Sequence, residues 1–425
     1  MKSLSWIPKS LIPKPVWVLT LAVALVLTPA ALADSQYRVL HNFYGHNGFP
    51  GPKGGNPVLF AVLAIDGSGR LYGPAAGGSG NKCFGPCGVI FEMSPEANGK
   101  WNESVAFNFD DPYTEGEPIT ALAIDGQGNL YGAAKGGPLG TTLIYELTSG
   151  SGGWMFKMIE DPGTDVALIP DASGNLYGFL GVGQYSNGGV GELLPGSNGW
   201  TLTEIYSFCL KPTCPDGSRP LVPLSWDTNG NLYGTTYEGG YSYPQCFCGV
   251  AFQLTLNSDG TWTYHRLHVF GSFPHDGRYP YGGLMVDASG DIYGTTTQGG
   301  PHENGTVFRL SQTQEGHWEE TLVYGFPAGN KALAPGNNLV FDDVGNLYGT
   351  AGSLERCTSG GFGCGLVFKL TPRKIGMWKY SLVHQFKGPD GDFPNGLTMD
   401  SKGRLYGTTT TGGSYGVGVV FEITP

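Results

Sequence analysis

The sequence predicts an all-β fold, a seven-bladed β-propeller of four-stranded blades, on three observations. First, the phrase D-x-x-G-x-L/I-Y-G occurs seven times, starting at Asp66, Asp125, Asp171, Asp227, Asp287, Asp342 and Asp400. Successive copies lie roughly 45–60 residues apart, the period of a propeller or another repeat array. Second, each period holds four strand-like segments in a fixed order, and such a unit repeated around an axis is a propeller blade. Third, the two ends are out of phase. The first recognisable strand, residues 37–43 (YRVLHNF), matches the outermost type, and the last, 418–423, matches the third. Residues 37–43 are therefore expected to complete blade seven, closing the ring without an open edge. A linear solenoid would need capping repeats instead.

The innermost strand type follows a Pro and ends on the motif Asp, as at 221–227 and 283–287. The second carries L-Y-G, as at 231–237. The third is G-V-x-F-x-L, at 249–254, 305–310, 365–370 and 418–423. The outermost begins at Gly-x-Trp and ends on Phe, as at 262–270 and 378–386. Alternation and β-branched or aromatic enrichment support each strand. Within the motif, Asp and Gly bound a tight turn, the carboxylate accepting backbone N–H groups and Gly tolerating positive φ. The last Gly is expected to allow close approach between blades. A calcium loop would carry several spaced oxygen ligands. Six of the seven copies offer little beyond one acid, so no metal and no cofactor is expected.

Gly makes up 71 of 425 residues, about 17% against a background near 7%. The excess falls at turn positions of a periodic pattern, which signals tight turns rather than disorder. The N-terminus reads as a leader. Lys2, Lys9 and Lys14 precede an apolar run at 16–27, and Ala31-Leu32-Ala33 offers a cleavage site before Asp34. The expected domains are a signal peptide over 1–33 and one propeller over 34–425. An uncleaved anchor is the rival reading, although the run is short for a membrane span. The leader contains three Lys and no acid, so removing it shifts the net charge from −11 to −14. Phosphate backbones and anionic lipid repel such a chain, which excludes nucleic acid, and membrane contact beyond the signal peptide, as partners. A secreted monomer, extracellular or periplasmic, is expected.

The phrase G-N-L-Y-G-T-T, followed by G-G and then C-G-V-x-F-x-L-T-P, resembles the GloVer (Gloeo/Verruco) tandem-repeat family of exported bacterial proteins. Residues 231–236 with Gly239-Gly240 and Cys248-Gly249-Val250 carry it best, and 404–409 with Gly412-Gly413 carry it again. The resemblance implies a propeller of no assigned activity, and it transfers no catalytic residue. Members often carry a surface-anchoring tail. No such tail is read here, so the resemblance implies secretion without implying attachment. The unit at about 154–194 departs most, being short and lacking G-V-x-F.

Eight cysteines in an exported chain point to disulfides. Cys87, Cys248 and Cys364 each precede the Gly of a third strand, with Cys83, Cys246 and Cys357 as nearby partners. Cys209 and Cys214 lie in the loop entering blade four. One intervening residue makes a Cys246–Cys248 bridge awkward, so Cys209 or Cys214 could pair with Cys246 or Cys248 instead.

Loops entering a blade share a face with the loops between its second and third strands, and these are the long ones. A D-G-x-x-P pattern recurs there with acids Asp216, Asp276 and Asp390, loosely echoed by Glu115. An Asp-Gly turn ahead of a strand-starting Pro explains its fixed residues. The variable positions should ring the axial opening, which nominates Arg219, Arg278, Tyr279, Asp392 and Phe393 as ligand contacts. Tyr185, Tyr241, Tyr243 and Tyr415 in neighbouring loops could stack on sugar rings.

His41, His268 and His384 fall two residues before the terminal Phe of the outermost strand, where Tyr206 and Tyr324 stand in other blades. They read as packing positions. His46, His275 and His302 form no metal spacing. No nucleophile elbow appears, and no catalytic residue is assigned. Two function classes remain. The favoured one is a binding module for an extracellular polysaccharide or protein partner. The alternative is a polysaccharide hydrolase or lyase using paired carboxylates among Glu115, Asp216, Asp276 and Asp390.

Overall fold

Each motif Asp closes its own turn. In the fourth copy Asp227 Oδ1 accepts the backbone N–H groups of Asn229 (2.8 Å) and Asn231 (2.9 Å), and Gly230 takes φ +81°. Asp227 Oδ2 accepts Asn231 Nδ2 at 2.7 Å and the Tyr233 hydroxyl at 3.1 Å. The same pair of backbone bonds to one carboxylate oxygen occurs in all seven copies. The turn therefore fixes how the innermost strand hands over to the second, once per blade.

The computed structural model describes residues 36–425 apart from 47–48, 51–53, 59–60, 79–87, 112–114, 137–140, 161–166, 182–186, 198, 243–245, 328–334 and 353–363. The leader at 1–33 lies outside the described residues. The chain forms seven antiparallel four-stranded sheets, the blades of a propeller. Blade four shows the plan, running outward through Ser225–Trp226, Leu232–Thr236, Val250–Leu256 and Trp262–Val269. Blade seven takes Asp392–Met399, Leu405–Thr411 and Val419–Thr424 from the C-terminal end, and Gln36–Asn42 is its outermost strand. Tyr37 lies opposite Ile423, and Val39 opposite Phe421. The ring closes as the phase of the repeats predicts.

The inner strands of blades four and five are shorter than expected next to the motif. The ladder covers only Ser225–Trp226 and Met285–Val286 where 221–227 and 283–287 were expected. Pro220 and Pro223 have no N–H to give a ladder, which shortens the first of these. Outer strands end one residue early, at Val269 and Gln385. The next residues, Phe270 and Phe386, still donate to Gly249 O (3.0 Å) and Gly365 O (3.1 Å).

Three repeated contacts join neighbouring blades. The Gly-x-Trp indole packs on the motif Tyr of the preceding blade: Trp101 on Tyr406 (5.6 Å between centroids), Trp154 on Tyr72 (5.7 Å) and Trp200 on Tyr131 (5.9 Å). Trp262, Trp318 and Trp378 meet Tyr177, Tyr233 and Tyr293 in the same way. Second, the Phe that ends one outer strand meets the third-strand ring of the next blade edge-on. The pairs are Phe43–Phe91, Phe109–Tyr145, Phe208–Phe252, Phe270–Phe308, Phe326–Phe368 and Phe386–Phe421, at 5.0–5.4 Å. Each such pair adds about 0.5–1.5 kcal/mol beyond the area it buries. Blade three, the most divergent unit, has Gly191 at the third-strand ring position.

Third, in six of the seven blades the Gly before the third strand takes positive φ and receives the Pro that starts the next blade, Thr142 standing there in blade two. Gly249 faces Pro280, and Gly305 faces Pro335. This corrects the expectation for the last motif Gly. The space over Gly234 is filled by Phe252 and Leu224 of its own blade, and over Gly294 by Phe308 and Leu284. Gly234 sits opposite Phe252 in the ladder, so the bare backbone makes room for that ring. The close approach between blades falls to the other glycine.

Candidate functional site

The D-G-x-x-P acids are tied into the scaffold. Asp216 accepts the Tyr206 hydroxyl (2.8 Å) and the Cys209 N–H (3.1 Å). Asp276 accepts the Ser272 N–H (2.9 Å) and faces His268 Nε2 at 3.1 Å. Asp390 accepts the Lys387 N–H (2.8 Å) and faces His384 Nε2 at 2.9 Å. Glu115 accepts the Asp110 N–H at 2.7 Å. The repeat-equivalent Tyr and His of the outer strand thus hold the acid of the following loop. The four carboxylates proposed as a hydrolytic pair are each bound to their own loop backbone.

The entering loop and the loop between second and third strands do lie side by side. Ser218 and Glu238 exchange backbone bonds of 2.8 and 3.1 Å, and Gly300 donates to Asp276 O at 3.0 Å. The residue before the blade-starting Pro is left-handed in four blades: Asn56 (φ +48°), Arg219 (+55°), Tyr279 (+57°) and Phe393 (+55°). Its N–H donates across the seam, as from Tyr279 to Cys248 O (2.9 Å) and from Phe393 to Cys364 O (3.2 Å). A side chain on such a residue is aimed by the scaffold.

The axial opening is lined by other residues than those nominated. A cavity of about 250 Å³ is bordered by residues of six blades, among them Val62, Thr120, Ala167, Val222, Tyr281 and Asn337, which can meet only at the axis. None of Arg219, Arg278, Tyr279, Asp392 and Phe393 borders it. Those positions precede the Pro, and the chain reaches the axis only after it. Asp392 is buried. Burial, with the Asp390 charge nearby, raises its pKa although the Phe393 N–H favours the anion. Phe393 is exposed.

Two nominated residues do come together, with two that sequence reasoning missed. The Tyr237 ring lies 5.2 Å from Tyr279 and 5.6 Å from Tyr281, and the Arg219 guanidinium sits 5.7 Å above it. Arg219 Nη1 is 2.5 Å from Glu238 Oε1. Burial, together with the Tyr237 hydroxyl, raises the Tyr281 pKa, although Arg219 opposes the shift. Tyr281 also borders the axial cavity, so the cluster runs from the loop face to the axis. Beside it, Tyr241 and Phe247 face each other across a two-stranded ribbon at 5.9 Å, both about half exposed. Arg278 pairs with Glu303. The signal for Tyr237 was present: G-T-T-Y-E-G-G breaks the G-T-T-T-Q-G-G and G-T-T-T-T-G-G of blades five and seven. Tyr415 packs on Tyr44 at 5.1 Å. Tyr185 and Tyr243 lie outside the described residues.

Cys209 pairs with Cys214, and Cys246 with Cys248. The crossed pairing left open by the sequence does not occur, and the bridge across Phe247 does. Cys364 is disulfide-bonded, whereas Cys83, Cys87 and Cys357 lie outside the described residues. Among the described residues no three His, Cys, Asp or Glu side chains gather as metal ligands, and no helix is long and apolar enough to cross a membrane.

Residues 140–362 match the Gloeobacter/Verrucomicrobia repeat. The chain belongs to this family. The match spans blades three to five and parts of blades two and six, the stretch in which the aromatic cluster lies. No curated protein matches this repeat protein. Among solved structures, polysaccharide lyase Uly1 is similar at 11% identity and a TM-score of 0.50, covering 86% of this chain and 90% of that one. The β-propeller domain of the Trilobed protease from Pyrococcus furiosus gives 11% and 0.48, covering 86% and 93%. A luciferin-regenerating enzyme gives 15% and 0.43, covering 74% and 92%. At such identities the likeness to the lyase speaks for the propeller fold of the repeat and for nothing finer.

Proposed function

We propose that this propeller is a secreted binding module that holds an extracellular carbohydrate chain on the long-loop face of blades four and five. The observation that carries the reading is the cluster of Tyr237, Tyr279 and Tyr281 under the Arg219 guanidinium. Three aromatic rings with polar tips and an Arg–Glu pair supply apolar platforms beside fixed donors and acceptors, the combination a sugar ring requires. The neighbouring Tyr241–Phe247 ribbon extends the platform. Secretion accords with the disulfides, which persist in oxidising compartments.

Polysaccharide cleavage, the activity in the name of the lyase Uly1, is disfavoured as the primary role, because the loop acids are bound into the scaffold. The test is a pull-down and reducing-end assay of residues 34–425 on xylan, β-glucan, mannan and pectin. Binding that Tyr279→Ala and Tyr241→Ala weaken at least tenfold, without release of new ends, supports the module. Release of new ends supports the enzyme. Binding of none of the four overturns the carbohydrate reading and leaves a protein partner as the alternative.

A further inference from the structure

We propose that the cavity between the outer edges of blades three and four binds a small carboxylate. This site is separate from the aromatic cluster, and nothing in it depends on the carbohydrate reading. The cavity measures about 400 Å³ and lies under the loop that carries Cys209 and Cys214. That loop is longer than its equivalents. Residues 209–215 separate Phe208 from Asp216, whereas 271–275 and 387–389 separate the matching Phe and Asp in later blades. The extra chain is fastened by the Cys209–Cys214 bridge. Backbone bonds to the Cys214 carbonyl from Gly217 (3.0 Å) and Gly240 (2.7 Å) hold it to the blade. The cavity wall is therefore preset rather than formed by a loose loop.

Charge decides the ligand class. Among the described residues most arginines are paired with an acid. Arg38, Arg70, Arg219, Arg278, Arg309 and Arg404 each have one. Arg266 and Lys211, both bordering this cavity, make no ion pair among the described residues. Arg266 Nη1 donates to Pro215 O at 3.1 Å, which pins the guanidinium to the fastened loop and leaves further N–H groups of its fork to offer. Asp216 also borders the cavity, but Tyr206 and the Cys209 N–H already bond its carboxylate. Two cations against one bonded acid leave the pocket positive. A planar carboxylate matches the Arg fork, and Lys211 adds a second charge-assisted contact.

The remaining walls limit the body of the ligand. Leu210, Pro215 and the stacked rings of Tyr206 and Tyr264, 4.6 Å apart, are apolar surfaces. The chemistry is thus a carboxylate on a compact body, whether a sugar acid or an aliphatic acid such as the C-terminal residue of a peptide.

Calorimetric titration of residues 34–425 with D-galacturonate, D-glucuronate and N-acetyl-leucine tests the site, with glucose as the uncharged control. At least one acid should bind, with glucose silent, and the preferred acid names the source. Arg266→Gln should weaken that binding about tenfold or more, and Arg373→Gln, an exposed cation elsewhere, should leave it unchanged. If Arg266→Gln fails to fold, Lys211→Gln gives the same reading from an exposed position. No binding of any acid at millimolar concentration overturns the proposal, as does binding that neither cavity variant alters.

Discussion

The ring of Tyr37 stacks on the ring of His384 with centroids 3.8 Å apart and planes within 4°. Some 350 residues of chain separate them, and their contact is where the first strand meets blade six. Tyr37 also donates its hydroxyl to Asp390 O at 2.5 Å, in the loop that enters blade seven. The pair ties the ring-closing strand to blade six. Deleting residues 37–43 should unfold the whole propeller rather than blade seven alone, because blade one would lose Phe43 from its seam as well. Phe43→Ala alone should cost about 3–5 kcal/mol, and a thermal melt of either variant unchanged from the parent would sink the closure.

The motif aspartates make the ring acid-sensitive. Burial raises the pKa of Asp227, but hydrogen bonds from Asn231, the Asn229 N–H and Tyr233 outweigh it and hold the carboxyl below its usual range. Asp66, Asp125, Asp342 and Asp400 are lowered by the same balance. A carboxyl with a depressed folded pKa adds stability above its unfolded value of 3.8, and that stability is lost as pH falls through the folded value. Asp227→Ala should cost about 1–3 kcal/mol at pH 7 by leaving N–H groups unpaired. The gap between parent and variant melts should narrow below about pH 4. A gap that stays constant or widens in acid contradicts the bonding scheme.

At the seam of blades four and five the pattern is broken by an acid. Tyr264 stacks on Tyr206, Tyr380 on Tyr324 and Tyr37 on His384, but the matching residue of blade five is Glu320, beside His268 and Asp276. Burial, then the Asp276 charge, push the Glu320 carboxyl up to about 7 against the opposing effect of His268. The folded state therefore binds this proton more tightly than the unfolded chain does. Its contribution is present in full below pH 4.5, the unfolded value, and is lost as pH rises through about 7. Glu320→Gln should melt higher than the parent at pH 8, by about 1–3 kcal/mol, and the two should converge near pH 4. Equal melts at pH 8 would remove Glu320 from this role.

Much of this was legible because the repeats could be compared with one another. Seven copies of one phrase gave seven turns, and the out-of-phase ends gave the closing strand, expected at 37–43 and found at Gln36–Asn42. The scaffold role of His268 and His384 followed from their matching Tyr206 and Tyr324, although their Asp partners were not foreseen. Contacts across a ladder were harder. Gly234 and Phe252 are 18 residues apart, and only the register places the ring over the glycine. The candidate site was half legible. Arg219 and Tyr279 were found because they vary between repeats. Tyr281 was missed because it follows the Pro, where the chain has already turned toward the axis. Glu320 was missed because its partners belong to the neighbouring blade.

Two glycines with similar backbone should respond very differently to a methyl group. Gly230, in the motif turn, has φ +81° and nothing within 4 Å of where a Cβ would stand. Gly230→Ala should therefore cost only the left-handed backbone penalty, about 1–2 kcal/mol. Gly249 has φ +98°, and a Cβ there would strike Thr236 O and lie 2.8 Å from Pro280 Cδ in the next blade. Neither neighbour can yield: one is ladder backbone, and the other is a rigid ring that starts the adjoining blade. Gly249→Ala must push blades four and five apart, and overpacking adds about 1–3 kcal/mol to the same backbone penalty. Urea melts of the two variants should differ by at least 1 kcal/mol, with Gly249→Ala the less stable. Equal losses would mean that blades four and five do not meet through this glycine.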